Sequence, residues 1–333
     1  MSAETTSKQY LVTGCAGFIG ASVCRALLAA GHQVMGLDDL NPSYDPRMKA
    51  WRLAVLRRSG EFNFQQFDIT DRGHLAEFFR GMTAGTPFDA VFHLAARAGV
   101  RPSVENPWLY YQTNLDATLH LLDACRTHRV PKLVLASTSS VYGAGAEVPF
   151  RETSDADHPM SPYAASKKAA EVLTYSYHAL YGLDVSVLRF FTVYGPAGRP
   201  DMSVFRFVRQ IAEGETLIVY GDGTQLRDFT FVEDIARGTI AAARPLGYEV
   251  INLGGDRPVP LNELIRLISE HFDREPRIEY RPAHAADVPQ TWADITKAGR
   301  LLGWRPETSL EAGVNATIDW YKQNRALASQ ISL

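Results

Sequence analysis

Cysteine is scarce in this chain. Of 333 residues only Cys15, Cys24 and Cys125 are thiols. Their spacing fits neither a metal-ligand motif nor a disulfide framework, which points to a reducing, cytoplasmic setting. An excess of basic charge is also missing: 34 Lys+Arg against 37 Asp+Glu leave a formal net charge of −3. That balance gives no reason to expect a nucleic acid or an anionic membrane as partner. No apolar run approaches the roughly 18 residues of a membrane-spanning helix. Met1–Lys8 is polar, without the basic start and apolar core of a secretory signal. The nine histidines form no ligand motif, so no metal site is expected and a metal hydrolase is disfavoured. Repeats, low-complexity linkers and charge runs are absent. What remains is an ordinary enzyme-sized composition, 46% hydrophobic and 21% charged, long enough for one large domain or two unequal lobes.

The apolar pattern alternates. Short runs at 10–13, 34–37, 62–67, 90–94, 132–137 and 185–190 read as strands. Helical patterns lie between them at 18–30, 75–81, 107–129 and 162–181, with Pro107 and Pro162 suited to first helical positions and Gly31 and Gly182 to helix ends. The alternation predicts an α/β fold, a Rossmann-type doubly wound parallel sheet. After about Pro196 the rhythm changes. Gly221-Asp222-Gly223 looks like a hairpin turn, and helices near 232–243, 261–272 and 310–323 alternate with short strands. This stretch is expected to form a smaller lobe over the sheet's C-terminal edge, where open α/β sheets bind ligands.

Between the first strand and the first helix stands Gly14-Cys15-Ala16-Gly17-Phe18-Ile19-Gly20, a G-x-x-G-x-x-G loop. Gly14 permits the tight turn, Gly17 lets a pyrophosphate approach the backbone, and Gly20 lets the helix pack on the sheet. The helix N-terminus then offers free N–H groups to phosphate. Asp38 ends the second strand at the usual distance for a ribose-binding acid. A carboxylate there accepts hydrogen bonds from the ribose hydroxyls and repels a 2′-phosphate, favouring NAD over NADP. A ligand-free turn and a surface acid are the plain alternatives. Asp68 and Ile69, after the third strand, are placed to touch the adenine. Phe18 and Ile19 in the loop, and Leu94, Ala95 and Ala96 after the fourth strand, are assigned to the same cofactor.

Tyr163 and Lys167 lie four residues apart in a helical run and so share a face. A phenol becomes a usable acid/base when a nearby cation favours its ionised form. An amphipathic helix with a solvated polar face carries the same pair without any chemistry.

The loop, the acid and the Tyr-x-x-x-Lys together resemble the extended short-chain dehydrogenase/reductase family, from about Tyr10 to Tyr321. More narrowly the chain looks like the nucleotide-sugar epimerases, the UDP-glucuronate 4-epimerases above all. The segments that carry this run from His93 to Arg101, Ser137 to Gly143, Arg189 to Pro196, Gly198 to Met202 and Arg227 to Thr230, in family order. The resemblance implies that Tyr163 exchanges the sugar hydroxyl proton and that Lys167 holds the nicotinamide ribose and lowers the phenol's pKa. It also implies that Thr138 hydrogen-bonds the reacting oxygen. Asn114 matches a position that is usually structural, and both a buried helix polar residue and a direct role are open to it. Residues 8–195 would then bind NAD and carry the catalytic pair, and 196–325 would form an interleaved lobe for the nucleotide sugar. A homodimer through the helices near 108–128 and 162–180 is the family habit.

Family dehydratases carry Asp-Glu after the catalytic Thr, and relatives that decarboxylate UDP-glucuronate carry a Glu where this chain has Ser140. Here the two positions are Ser139 and Ser140, which leaves oxidation and reduction at one carbon, hence epimerisation. Thr192 stands where UDP-galactose 4-epimerases usually carry Asn. Hydroxyls from Thr138, Ser139, Ser140 and Thr192 could donate to a buried uronate carboxylate, with Arg101 or Arg199 assisting. Arg227 resembles the diphosphate-binding Arg. The second such Arg is missing near His284-Ala285-Ala286-Asp287, where Arg281 or His284 is the candidate substitute. Alternatives are a UDP-glucose 4-epimerase, another nucleotide-sugar epimerase or reductase, and, more remotely, a non-catalytic NAD-binding sensor.

Overall fold

In a computed structural model of the protein, residues 7–82, 88–283 and 288–333 are described. The first half runs β1 (Gln9–Thr13), α1 (Phe18–Ala29), β2 (Gln33–Asp38), α2 (Pro46–Leu56), β3 (Phe62–Gln66), α3 (Arg72–Gly81) and β4 (Ala90–His93). Then come α4 (Val100–Glu105), α5 (Pro107–Tyr111), a π-helical turn (Gln112–Asp116), α6 (Ala117–Thr127), β5 (Lys132–Thr138), a 3-10 turn (Ser139–Tyr142), α7 (Pro162–Tyr181) and β6 (Asp184–Phe190). The second half holds β7 (Thr192–Tyr194), α8 (Ser203–Glu213), β8 (Leu217–Tyr220), β9 (Leu226–Phe231), α9 (Val232–Ala241) and β10 (Tyr248–Leu253). It closes with β11 (Pro258–Pro260), α10 (Leu261–Phe272), β12 (Ile278–Arg281), α11 (Thr296–Leu302), α12 (Leu310–Gln323) and α13 (Arg325–Ala328).

The main sheet has seven strands in the order β10-β6-β5-β4-β1-β2-β3, all parallel. Successive residues face opposite sides. Val12, Phe92 and Val134 pack under α1, α2 and α9, while Leu11, Val91 and Leu133 pack under α3, α6 and α7. Both faces are covered, so β4 and β5 are buried throughout, as the near-continuous apolar runs require. The chain leaves β3 at one edge and re-enters at β4 beside β1. That reversal opens a crevice at the strands' C-terminal ends.

Three sequence expectations change. The sheet gains a seventh strand: β10 comes from the later half and pairs with β6 from Tyr248↔Val185 to Leu253↔Phe190. The helix expected over 107–129 is three pieces, with one π turn at 112–116. The wider turn brings Asn114 inward, where it is 1% exposed, and π turns of this kind recur at functional sites. Gly221-Asp222-Gly223 is a tight turn but not a hairpin. β8 pairs in parallel with β12, and β9 pairs with β7 and β11, so the turn joins two different sheets.

The second core lies between α8, α10 and α12, where Phe205, Val208, Leu264, Ile268, Val314 and Ile318 repeat at helical spacing. Arg52 of α2 fastens this region to the first: its guanidinium donates to Ala197 O at 2.7 Å and Gly198 O at 3.0 Å. Among the described residues no helix is long and apolar enough to cross a membrane.

Candidate active site

A cleft of about 500 Å³ follows the C-terminal ends of β1, β2, β4, β5 and β6. At one end is the glycine loop. Gly14 has φ +71°, and a Cβ there would stand 2.7 Å from Ala95 N. A Cβ at Gly20 would meet Gly14 O at 2.1 Å. The loop therefore exists in this form only with glycine at both positions, and it brings the start of α1 to the cleft wall. Gly17 caps α1 without a side-chain acceptor on the helix N–H groups, and the first turn has no acid. This is a cradle for phosphate.

Asp38 lines the cleft beside the loop and is 6% exposed. Its Oδ2 accepts from Ala16 N at 3.1 Å, and its Oδ1 accepts from Leu40 N at 2.8 Å and from Lys49 Nζ at 3.0 Å. Lys49, on α2, also reaches Asp39 at 3.6 Å. Sequence reasoning missed Lys49. Only its place eleven residues after Asp38 connects the two, and no motif marks it. Phe18, Ile19, Asp68, Ile69, Leu94, Ala95 and Ala96 all line the same cleft.

At the other end α7 begins. Pro162 takes the first helical position and the Ser161 side chain accepts from Ala164 N. One turn of helix then points Tyr163 and Lys167 into the cleft. Burial raises the Tyr163 phenol above its usual range, opposed by a hydrogen bond with Thr138 and by the positive charge of Arg199. Of the charges acting on the phenol, that of Arg199 favours its ionised form. Lys167 is 2% exposed. Burial brings it down to about 8, with the charge of Glu171 opposing.

Thr138 ends β5. Its Oγ1 accepts from Ser140 N at 3.1 Å and lies 3.1 Å from Ser140 Oγ, which turns the chain into the 3-10 segment. Ser139, Ser140 and Thr192 line the cleft with it. Arg199 lines it too, held by Asp201 at 2.6 and 3.0 Å, and so does Arg227 on β9. Two predicted residues stand elsewhere. Arg101 is not on the cleft wall; its guanidinium lies 3.8 Å over the Tyr220 ring. Arg281 pairs with Glu279 at 2.7 Å, half exposed. Both are drawn aside by partners that a motif comparison does not contain. His284 and its three followers lie outside the described residues.

Asn114 braces the site from behind. Its Oδ1 accepts from Arg97 N at 2.8 Å, and its Nδ2 donates to Arg97 O and to Ser166 Oγ, both at 3.0 Å. Ser166 in turn donates to Tyr163 O at 2.8 Å. Of the two roles open to Asn114, these bonds are the structural one. A buried phenol, a buried amine and a Thr hydroxyl at one end of a dinucleotide-shaped cleft can move a proton on a bound alcohol. Among the described residues no cluster of three or more His, Cys, Asp or Glu could hold a metal ion.

A family profile described as the NAD dependent epimerase/dehydratase family matches residues 10–254. The UDP-glucuronate 4-epimerase of Thermodesulfobacterium geofontis is 53% identical over 325 residues, 97% of this chain and 99% of that protein. A solved UDP-glucuronic acid 4-epimerase from Bacillus cereus, in complex with UDP-glucuronic acid and NAD, is 36% identical with a TM-score of 0.88. The match covers 95% of this chain and 99% of that one. A UDP-glucose 4-epimerase from Thermotoga maritima, solved with UDP-glucose, is 33% identical with a TM-score of 0.85 over 95% and 99% of the two chains.

Proposed function

The chain belongs to the NAD-dependent epimerase/dehydratase family, and from that premise we propose that it is a UDP-glucuronate 4-epimerase, interconverting UDP-glucuronate and UDP-galacturonate with tightly bound NAD. One observation carries the reading. Thr138, Tyr163 and Lys167 line one end of the cleft whose other end is the glycine loop and Asp38, and the two positions after Thr138 are serines rather than carboxylates.

The glycine cradle, Asp38 and the small residues Ala95 and Ala96 suit NAD, with Asp38 and Lys49 at the adenosine ribose and Lys167 at the nicotinamide ribose. Bound there, NAD supplies the acceptor and donor of the sugar's C4 hydride. Tyr163 takes the C4 hydroxyl proton and later returns one. Thr138 donates to the reacting oxygen. The 4-keto sugar presents its other face while Arg227 holds the diphosphate, which an Arg can grip bidentately. Ser139, Ser140 and Thr192 donate to the uronate carboxylate. Fixed in that geometry, the C5–carboxylate bond of the β-keto acid stays out of line with the ketone π system, and CO₂ is retained. Residues 8–195 serve NAD and the proton transfer, and 196–325 serve the nucleotide sugar.

We place the enzyme in the cytoplasm, as a homodimer. Trp108 (80%), Leu119 (41%), Val172 (57%) and Leu180 (72%) are exposed on α5, α6 and α7, apolar surface that a second copy of these helices would cover.

The likeness to a UDP-glucose 4-epimerase supports one competing reading, a neutral sugar. Comparing kcat/KM on the two nucleotide sugars separates them. The uronate is expected to win clearly, and a preference for UDP-glucose overturns the substrate assignment.

A further inference from the structure

Below Tyr163 and Lys167, α7 carries a third ionisable group on the same face. Glu171 follows Lys167 by one helical turn and is 3% exposed. Its Oε1 accepts from Ser137 Oγ at 2.5 Å and from Arg189 Nε at 3.0 Å, and its Oε2 accepts from Arg189 Nη2 at 2.8 Å. Ser137 directly precedes Thr138 on β5, and Ser137 and Arg189 are cross-strand partners in β5 and β6. A single carboxylate thus joins the helix that bears Tyr163 and Lys167 to both strands behind it, at the level of the Thr138 hydroxyl. Fold stability is a poor reason for such a pair. Buried ion pairs lose much of their attraction to desolvation, and well-packed apolar residues often replace them at no loss.

The surroundings of Lys167 supply a better one. His93 of β4 is buried between Thr13 and Thr118 and is held neutral, down to about 3, by burial and then by the Lys167 charge. Burial raises the Tyr163 phenol of α7. β5 brings the hydroxyls of Ser137 and Thr138, and β6 brings a cation, Arg189. Among the groups acting on Lys167, the one that favours its charged form is Glu171.

We propose that Glu171 is a positioning residue of this active site: through Ser137 and Arg189 it sets α7 on β5 and β6, and it is the anion that faces Lys167. The proposal rests on the epimerase reading for the task of Lys167, not for the placement of Glu171.

The test is the titration of Lys167 in the full chain with excess NAD, followed by carbon-13 NMR of the lysine Cε, the signal being assigned with Lys167→Met. Two variants are compared with the parent. Glu171→Gln removes the anion but leaves Arg189 buried without a counter-charge and risks misfolding. Glu171→Gln with Arg189→Met removes both charges, and its fold is checked by thermal unfolding. In both, Lys167 is expected to titrate about one pH unit or more below the parent, with turnover on UDP-glucuronate reduced. A parent-like midpoint in the double variant overturns the proposal and leaves Glu171 as the counter-ion of Arg189 alone. Absence of turnover in the parent, with the Lys167 shift intact, counts against the epimerase reading and not against Glu171.

Discussion

At the scale of single residues, the chemistry turns on how a phenol with no intrinsic basicity at neutral pH is made to work. Burial pushes Tyr163 upward, and only Thr138 and the Arg199 charge resist. A protonated phenol cannot take a proton, so Tyr163 serves as the base in its ionised form, which the hydrogen bond with Thr138 and the Arg199 charge favour against burial. Replacing Tyr163 by Phe removes one oxygen from a site whose backbone is braced by Asn114 and Ser166. The variant is expected to fold and bind NAD normally while turnover falls roughly 10²- to 10⁴-fold. Steady-state kinetics beside calorimetry of NAD binding checks this, and near-normal turnover would remove Tyr163 from the mechanism. Tyr163, Lys167, Thr138, the glycines and Asp38 are legible in the sequence because each sits at a fixed offset from a strand or helix end. Lys49 and the off-cleft places of Arg101 and Arg281 are not, since a long side chain's partner is decided by tertiary neighbours. For Arg101 that neighbour is Tyr220, more than a hundred residues away.

At the scale of elements, the proposed task of the turn after β5 is to hold the carboxylate of the oxidised sugar. Thr138 caps the 3-10 turn through Ser140 N, so Ser139 and Ser140 enter the cleft on rigid backbone instead of a loop. Their hydroxyls are suited to hold a carboxylate, since hydrogen bonds to a charged group contribute roughly 1.5–3 kcal/mol each. Changing both serines to alanine is expected to weaken kcat/KM for UDP-glucuronate by roughly 10²- to 10⁴-fold and to let part of the 4-keto intermediate lose CO₂. Nucleotide-pentose in the product mixture, seen by NMR, is the signature. A variant that keeps wild-type kcat/KM and yields no pentose contradicts the role given to these hydroxyls. The π turn before α6 is not marked by any residue type in the sequence. Its consequence, the inward Asn114, is visible only in three dimensions.

At the scale of the whole molecule, the strand–helix alternation announces the parallel sheet through β6, but not its last strand. β10 lies after the smaller elements β7, β8 and β9, and a linear reading assigns it to their lobe. The long connection that returns it to β6 interleaves the two halves, so the cleft's floor and far wall belong to one folded body. The exposed apolar residues of α5, α6 and α7 are the surface on which the proposed dimer rests. Light scattering is expected to give twice the 36.9 kDa chain mass, and Val172→Glu with Leu180→Glu is expected to shift it toward one chain. A parent protein that runs as a single chain at micromolar concentration contradicts the dimer.

The most direct measurement of the central claim is the incubation of the purified protein with UDP-glucuronate and no added NAD, with products resolved by NMR. Conversion to UDP-galacturonate as the sole product, to an equilibrium mixture, is the expected result, and it reports the reaction, the substrate and the retained cofactor together. A pentose nucleotide as the main product, or no turnover even when NAD is supplied, would contradict the account.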